Sequence, residues 1–132
     1  MAIDYRLNDR VTPGEVADLF RSSGIRRPSE DLGRIRRMLE GANLTVTAWD
    51  GERLVGIARA LSDRSYCTYL SDLAVGKEYQ REGVGRELVR RVREAAGEES
   101  IVLLLAAPDA MAYYPRIGFE KADNAWLLPR NR

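Results

Sequence analysis

The stretch from Asp72 to Val89, reading DLAVGKEYQREGVGRELV, constrains this chain more than any other. Leu70, Leu73 and Val75 make an apolar run that predicts a buried strand. A polar loop with Gly83 and Gly85 follows, and then Val84, Leu88, Val89 and Val92 fall on one face of a helix. A strand feeding a glycine loop that opens a helix is a general way to hold phosphate. The first helical N–H groups have no partner within the helix, and the macrodipole places about half a positive charge there. Glycine lets the backbone approach an anion and take up conformations that a Cβ forbids. Two familiar phosphate loops do not fit. A Walker loop needs Lys-[Ser/Thr] where Arg86-Glu87 stands, and a dinucleotide fingerprint needs a third glycine where Leu88 stands. Alone, the segment is also compatible with a tight turn that starts a helix and binds nothing.

Length and composition narrow the class. A chain of 132 residues forms one domain, 1–132, around a single core. Apolar content of 45% and charged content of 31% are those of a globular protein and not of a disordered one. A net charge of +1 lacks the basic excess of a nucleic-acid or acidic-membrane binder, so neither partner is expected. The single cysteine, Cys67, excludes an intramolecular disulfide, and the absence of histidine argues against a metal site. No signal-peptide pattern or membrane-length apolar run is visible, which makes a cytoplasmic location the expectation.

Taken in order, Ile3 to Leu7 alternates as a first strand. Thr12-Pro13-Gly14-Glu15 has the form of a capping box with proline at the first helical position. The helix it opens buries Val16, Leu19 and Phe20 and stops at Gly24. Ser29 then caps a second helix with Leu32, Ile35, Met38 and Leu39 on one face. Leu44 to Trp49 and Arg53 to Leu61 form a hairpin around a primed turn at Asp50-Gly51. Tyr66 to Val75 is the next strand, followed by the glycine loop and a helix to Gly97. Ile101 to Ala106 reads as a strand buried on both faces. A short helix around Asp109 to Ile117 and a last strand near Ala125 to Leu128 complete the chain.

Gln80-Arg81-Glu82-Gly83-Val84-Gly85 matches the Q/R-x-x-G-x-G/A pattern and resembles the acetyl-CoA loop of the GCN5-related N-acetyltransferases. The order of elements is that family's order. Tyr113-Tyr114-Pro115-Arg116-Ile117-Gly118-Phe119 resembles its Y-x-x-x-G-F segment, at the right distance from the loop. The resemblance covers most of the chain from Leu54 onward. It implies the acyl-CoA N-acyltransferase fold, an α/β (α+β) architecture with a mixed, mostly antiparallel sheet flanked by helices and with splayed fourth and fifth strands. It implies acetyl-CoA as co-substrate and no metal. The acceptor it implies is a primary amine of a small molecule, or a protein amino group, attacking directly in a ternary complex. It leaves a homodimer open.

The same resemblance assigns residues. Backbone around Leu73, Ala74 and Val75 receives the pantetheine arm and polarises the thioester carbonyl. Gln80, Arg81, Glu82, Gly83, Val84, Gly85 and Arg86 surround the pyrophosphate, with Arg81 and Arg86 as charge-assisted donors or else as solvated helix-end charge. Tyr114 corresponds to the tyrosine that many relatives aim at the coenzyme sulfur. A phenol with a pKa of about 10 stays protonated beside a thiolate and can deliver that proton. Without histidine the base is a carboxylate or water, and Asp72, on the fourth strand in an apolar segment, is the candidate; a paired structural aspartate is the other reading. Cys67 is expected to be inert core.

Three departures from the family pattern stand out. Lys77 occupies a frequent proline position, which predicts a less rigid loop. The fifth strand ends without the asparagine that often contacts the coenzyme arm. Pro115 predicts a last helix that is short or kinked after Tyr114. Arg21, Arg26, Arg27, Arg34, Arg36 and Arg37 form a basic roof suited to an acidic acceptor, or a solvated face. Tyr69, Tyr113 and Trp126 allow an arylalkylamine acceptor. A non-catalytic acyl-CoA-binding or partner-binding module on the same fold is the alternative function. A phosphate-loop hydrolase is disfavoured by the missing lysine.

Overall fold

Local signals place the first helix with little ambiguity. The Thr12 hydroxyl accepts from the Glu15 amide at 3.2 Å, and Glu15 Oε1 accepts from the Thr12 amide at 3.0 Å, a reciprocal capping box. The helix α1 runs Pro13–Ser23 and ends at Gly24, whose φ of 85° only glycine adopts cheaply. The computed structural model describes residues 2–132, beginning with strand β1 (Asp4–Leu7). Helix α2 spans Leu32–Gly41 and is capped by Asp31, not by Ser29, because the Asp31 carboxylate accepts the Arg34 amide. The strands β2 (Leu44–Asp50) and β3 (Arg53–Ser62) form the expected hairpin. Its turn residues are Gly51 and Glu52, one position later than predicted, with glycine taking the positive φ. Strand β4 is Cys67–Val75, α3 is Val84–Ala96, β5 is Ile101–Leu103 and α4 is the single turn Tyr113–Arg116. The short α4 is what Pro115 predicts.

The sheet order is β1-β2-β3-β4-β5, antiparallel except for the parallel β4–β5 pair. Helices cover it on both faces. On one face α3 buries Val84, Leu88, Val92 and Ala96 against Val46, Ala48, Val55 and Leu70. On the other, Val16, Ala17, Phe20 and Ile35 of α1 and α2 pack with Ile57 and Ala74. Each fully buried aliphatic side chain contributes about 1.5–3 kcal/mol. These contacts fix α3, and hence the loop at its head, on the sheet.

Two expectations at the C-terminal end do not hold. The Ile101–Ala106 run is not buried on both faces: pairing ends at Leu103, and Ile101, Leu103 and Leu105 are exposed while Val102 and Leu104 pack on the core. The reason is position. β5 is the last strand of the sheet, and α1 packs mainly over β3 and β4. Nor does Ala125–Leu128 form a strand; Trp126 and Leu128 are almost fully exposed. Pro129 cuts that run short, since it removes a ladder donor and restricts the residue before it. Cys67 is also exposed at the start of β4 and is not core. The nearby Asp63 carboxylate pushes its thiol pKa up, which disfavours a reactive thiolate.

Gly56 on β3 is where α3 crosses the sheet. A Cβ there would lie 3.0 Å from Leu88 Cδ1, 3.1 Å from Val84 Cγ1 and 3.2 Å from Ala48 Cβ. Gly56→Ala should therefore destabilise the protein by about 1–3 kcal/mol through overpacking. Urea unfolding measures this, and a parent-like midpoint would mean that α3 shifts without cost.

Candidate active site

β4 and β5 pair over only three positions, Cys67–Ile101 to Tyr69–Leu103. β4 continues to Val75 while β5 turns away, so the strands splay and leave a cleft of about 610 Å³. Leu70, Ser71, Leu73, Ala74 and Val75 form one wall, and Leu104 to Ala110 form the other. Gln80 and Tyr114 close one side, and the segment after α1, including Arg26 and Arg27, closes another. Thus the edge of β4 from Leu73 to Val75 is unpaired by β5 and lies open to a ligand.

The splay begins at an irregularity in β4. Asp72 pairs with Arg59, but the next partner of β3, Ala60, faces Leu70, so Ser71 is an extra residue in β4. Asp72 itself is fully buried. Its two carboxylate oxygens accept from Arg27 Nε and Arg59 Nε respectively. The same guanidiniums grip the bulge: Arg27 Nη2 donates to the Ser71 carbonyl at 2.7 Å, and Arg59 Nη2 to the Ser71 hydroxyl at 3.0 Å. Arg59 also donates to the Met38 carbonyl of α2 at 3.2 Å. This geometry favours the paired aspartate over the general base of the two readings given for Asp72. Both oxygens are engaged, and Asp72 does not line the cleft although Ser71 and Leu73 do. The paired-aspartate reading describes its surroundings.

At the head of α3, Gly83 is the N-cap with φ 85°, and no side chain caps the helix. The amides of Val84, Gly85 and Arg86 therefore take no side-chain cap, as an anion-binding helix head requires. Arg81, just before, has φ 68°, an uncommon conformation for a residue with a Cβ. Gly85 is buried, and a Cβ there would lie 2.6 Å from Tyr113 Oη. Its smallness thus seats Tyr113 against α3. Other predicted site residues are committed elsewhere. The Gln80 amide donates to the carbonyls of Val75, at 2.9 Å, and Ser23, at 3.3 Å, tying β4 to α1. Arg86 Nη2 donates to the Arg116 carbonyl at 3.0 Å and holds α4. Glu82 and Arg81 are exposed. The loop is also not slack at Lys77: its amide, which proline would lack, donates to Ser22 Oγ at 3.0 Å.

Tyr114 lines the cleft from α4. Its ring meets Tyr113 and Phe119 edge-on, with centroids 5.3 and 5.4 Å away, and its carbonyl accepts from the amides of Ile117 and Phe119. Burial raises its pKa above the ordinary phenol value, with Tyr113 adding to the shift and Arg27 opposing it. Of the six arginines predicted to roof the site, only Arg26 and Arg27 line it. Arg34 instead donates to the Arg132 carbonyl at 3.3 Å. Tyr69, Tyr113 and Trp126 are absent from the lining, so the aromatic wall expected for an arylalkylamine is not assembled there. The anchoring of Arg27 by Asp72 and Ser71 is the site feature that sequence reasoning missed. Its only signal was a carboxylate in an apolar strand.

Comparison with known proteins adds the following. A family model described as an acetyltransferase (GNAT) domain matches residues 18–126. The uncharacterised N-acetyltransferase ycf52 of Pyropia yezoensis is 28% identical over 123 residues, covering 86% of this chain and 68% of that protein. Against the next curated relatives the chain spans less, 41% and 61% of their lengths. Among solved structures, a GNAT-family acetyltransferase of Streptococcus pneumoniae superposes with a TM-score of 0.81 at 24% identity, covering 99% of both chains. AAC(6')-Iy, in complex with a bisubstrate analogue built on CoA, gives a TM-score of 0.73 at 14% identity over 100% of both chains. At these identities the structural likenesses speak for the fold alone.

Asp72→Asn should act on folding. It removes a buried negative charge that two guanidiniums share, and breaking a buried pair costs about 3–5 kcal/mol. Thermal and urea denaturation will read that loss. A variant of parental stability that had lost only the acidic limb of its rate profile would restore the base.

Proposed function

Because the chain belongs to the GNAT acetyltransferase family, we propose that it transfers the acetyl group of acetyl-CoA to a primary amine by direct attack within one cleft. The observation that carries this reading is that the free edge of β4 and Tyr114 line one cleft, and that Gln80, three residues before the uncapped head of α3, lines it too. The residues present fit the coenzyme. The open amides of Val84 to Arg86 suit a pyrophosphate, and Gly83 and Gly85 place no side chain over them. The gap between β4 and β5 combines a free strand edge with the apolar side chains of Leu73 and Leu105, as an extended amide-bearing arm requires. Bound there, acetyl-CoA supplies an activated acyl group.

The protein's own contributions then divide by element. Leu73 to Val75 hold the arm as a further strand would, and an amide on that edge donates to the thioester carbonyl as negative charge develops on it. Tyr114 gives its proton to the departing sulfur. Its raised pKa keeps the phenol protonated through neutral pH, so the acid is present when needed. Asp72 serves as a positioning residue, holding Arg27 and the Ser71 bulge so that the edge begins in register. The amine's proton leaves to water through the open mouth of the cleft. The acceptor is a small molecule or a protein amino group.

Two experiments test this. Tyr114→Phe keeps the ring, so acetyl-CoA affinity by calorimetry should hold while turnover falls by about 10² to 10⁴. The parent should also lose rate at alkaline pH, above the ordinary phenol range, where Tyr114 ionises; the phenylalanine variant should lack that limb. Near-parent turnover in Tyr114→Phe would remove the tyrosine from the chemistry. In the second experiment, Gly83→Val strains a positive φ and covers the amides, so it should weaken acetyl-CoA binding by tenfold or more, on the order of one lost charge-assisted hydrogen bond. Binding without any thiol release across a panel of amines and peptides would favour the non-catalytic module.

A further inference from the structure

The Arg27–Asp72–Arg59 cluster holds more charge than it balances. Two guanidiniums share one carboxylate, which leaves one positive charge in a largely buried set. Among the described residues neither arginine has a second ion-pair partner. An unbalanced charge withdrawn from water is costly unless a counter-ion reaches it. The cluster has one opening. Side-chain exposure is 27% for Arg27, 9% for Arg59 and none for Asp72, and Arg27 alone of the three lines the cleft.

Arg27 is also unusually well fixed for a surface-reaching arginine. Nε is held by Asp72, Nη2 by the Ser71 carbonyl, and Nη1 by the Arg26 carbonyl. A guanidinium has five N–H donors, so two remain. Arg26, exposed beside it, makes no ion pair among the described residues. The only acid in the lining, Asp109, belongs to the far wall. Such a pre-anchored fork is the arrangement that binds a carboxylate with little loss of side-chain freedom.

We infer that this end of the cleft is an anion subsite for the acceptor. Arg27, with Arg26 beside it, receives a carboxylate carried by the same small molecule whose amine is acetylated. The acceptor is then an amino-acid-like compound and not a polyamine. This rests on the acetyl-transfer reading above. The bonds are those of that reaction: the amine nitrogen bonds the acyl carbon, the carbon–sulfur bond breaks, the sulfur gains a proton from Tyr114 and the amine loses one to water. The carboxylate stays unchanged and serves to place the amine. The apolar walls, Leu70, Leu73 and Leu105, would accept an apolar side chain.

The test compares matched acceptors by thiol release: L-leucine with L-leucinamide, L-phenylalanine with L-phenylalaninamide, and spermidine. The parent should prefer each acid over its amide by about tenfold to a hundredfold in kcat/KM, the worth of a charge-assisted hydrogen bond. Spermidine should be the poorest. The amides carry the more readily deprotonated amine, so any intrinsic bias runs against this result. Arg27→Gln should bring the acid-to-amide ratio near one, with Arg27→Lys between. The ratio cancels any general loss of activity. A parental ratio of one or less overturns the subsite, as does a ratio that Arg27→Gln leaves intact. If Arg27→Gln instead weakens acetyl-CoA binding by calorimetry with the ratio unchanged, the arginine serves a coenzyme phosphate and the inference fails. No transfer to these compounds or to a wider set of amines and peptides would sink the acetyl-transfer reading itself, which is a different result.

Discussion

The site depends on one buried carboxylate. Asp72 lies between two guanidiniums, and through them it connects three elements that are distant in sequence: the linker after α1, strand β3 and the C-terminal end of α2. The same arginines clasp Ser71, the extra residue of β4. Without that clasp the bulge has no reason to sit where it does. With it, β4 turns from a paired strand into a free edge within two residues of Tyr69, the last residue bonded to β5. A buried ion pair is weak evidence for net stability, because desolvation offsets much of the attraction. Here its effect is geometric. It fixes where the sheet opens.

The fold was largely legible because its signals are local. The capping box at Thr12, the glycine after Ser23, the hairpin turn and the period of α3 are each decided within a few residues. The failures came where a segment's state depends on what lies beside it. Ile101 to Leu105 has the composition of a doubly buried strand, yet nothing covers its outer face among the described residues. Ala125 to Leu128 has the composition of a strand but gains no partner. Composition reports what a segment could bury, and topology decides whether it does.

The candidate site shows the same division. Gly83, Gly85 and Tyr114 were visible because spacing to a helix start or to Gly118-Phe119 places them. Asp72 stands out in the sequence as a carboxylate amid apolar residues, a signal that leaves the base and the paired aspartate both open. No local pattern joins it to Arg27 or Arg59, which are 45 and 13 residues away. Gln80 and Arg86 illustrate a further limit. Their side chains brace β4 and α4, so within the motif the backbone and the exposed Arg81 remain for a phosphate.

The arginine-rich cluster also bears on how an amine could be activated without a histidine. A carboxylate base would attract an ammonium and hold its proton until transfer. A site with net positive charge does the reverse: it disfavours the ammonium and favours the neutral amine, by the same Coulombic rule that lowers a lysine's pKa beside another cation. On that reading the cleft needs no dedicated side-chain base, because the field that repels the extra proton does part of the work and open water takes it. Such a field would penalise any simple amine on approach. An acceptor that brings its own carboxylate removes that penalty by neutralising the surplus charge at Arg27, and its ammonium then gives up its proton to open water. Placement of the acceptor then follows from the same two guanidiniums and one carboxylate.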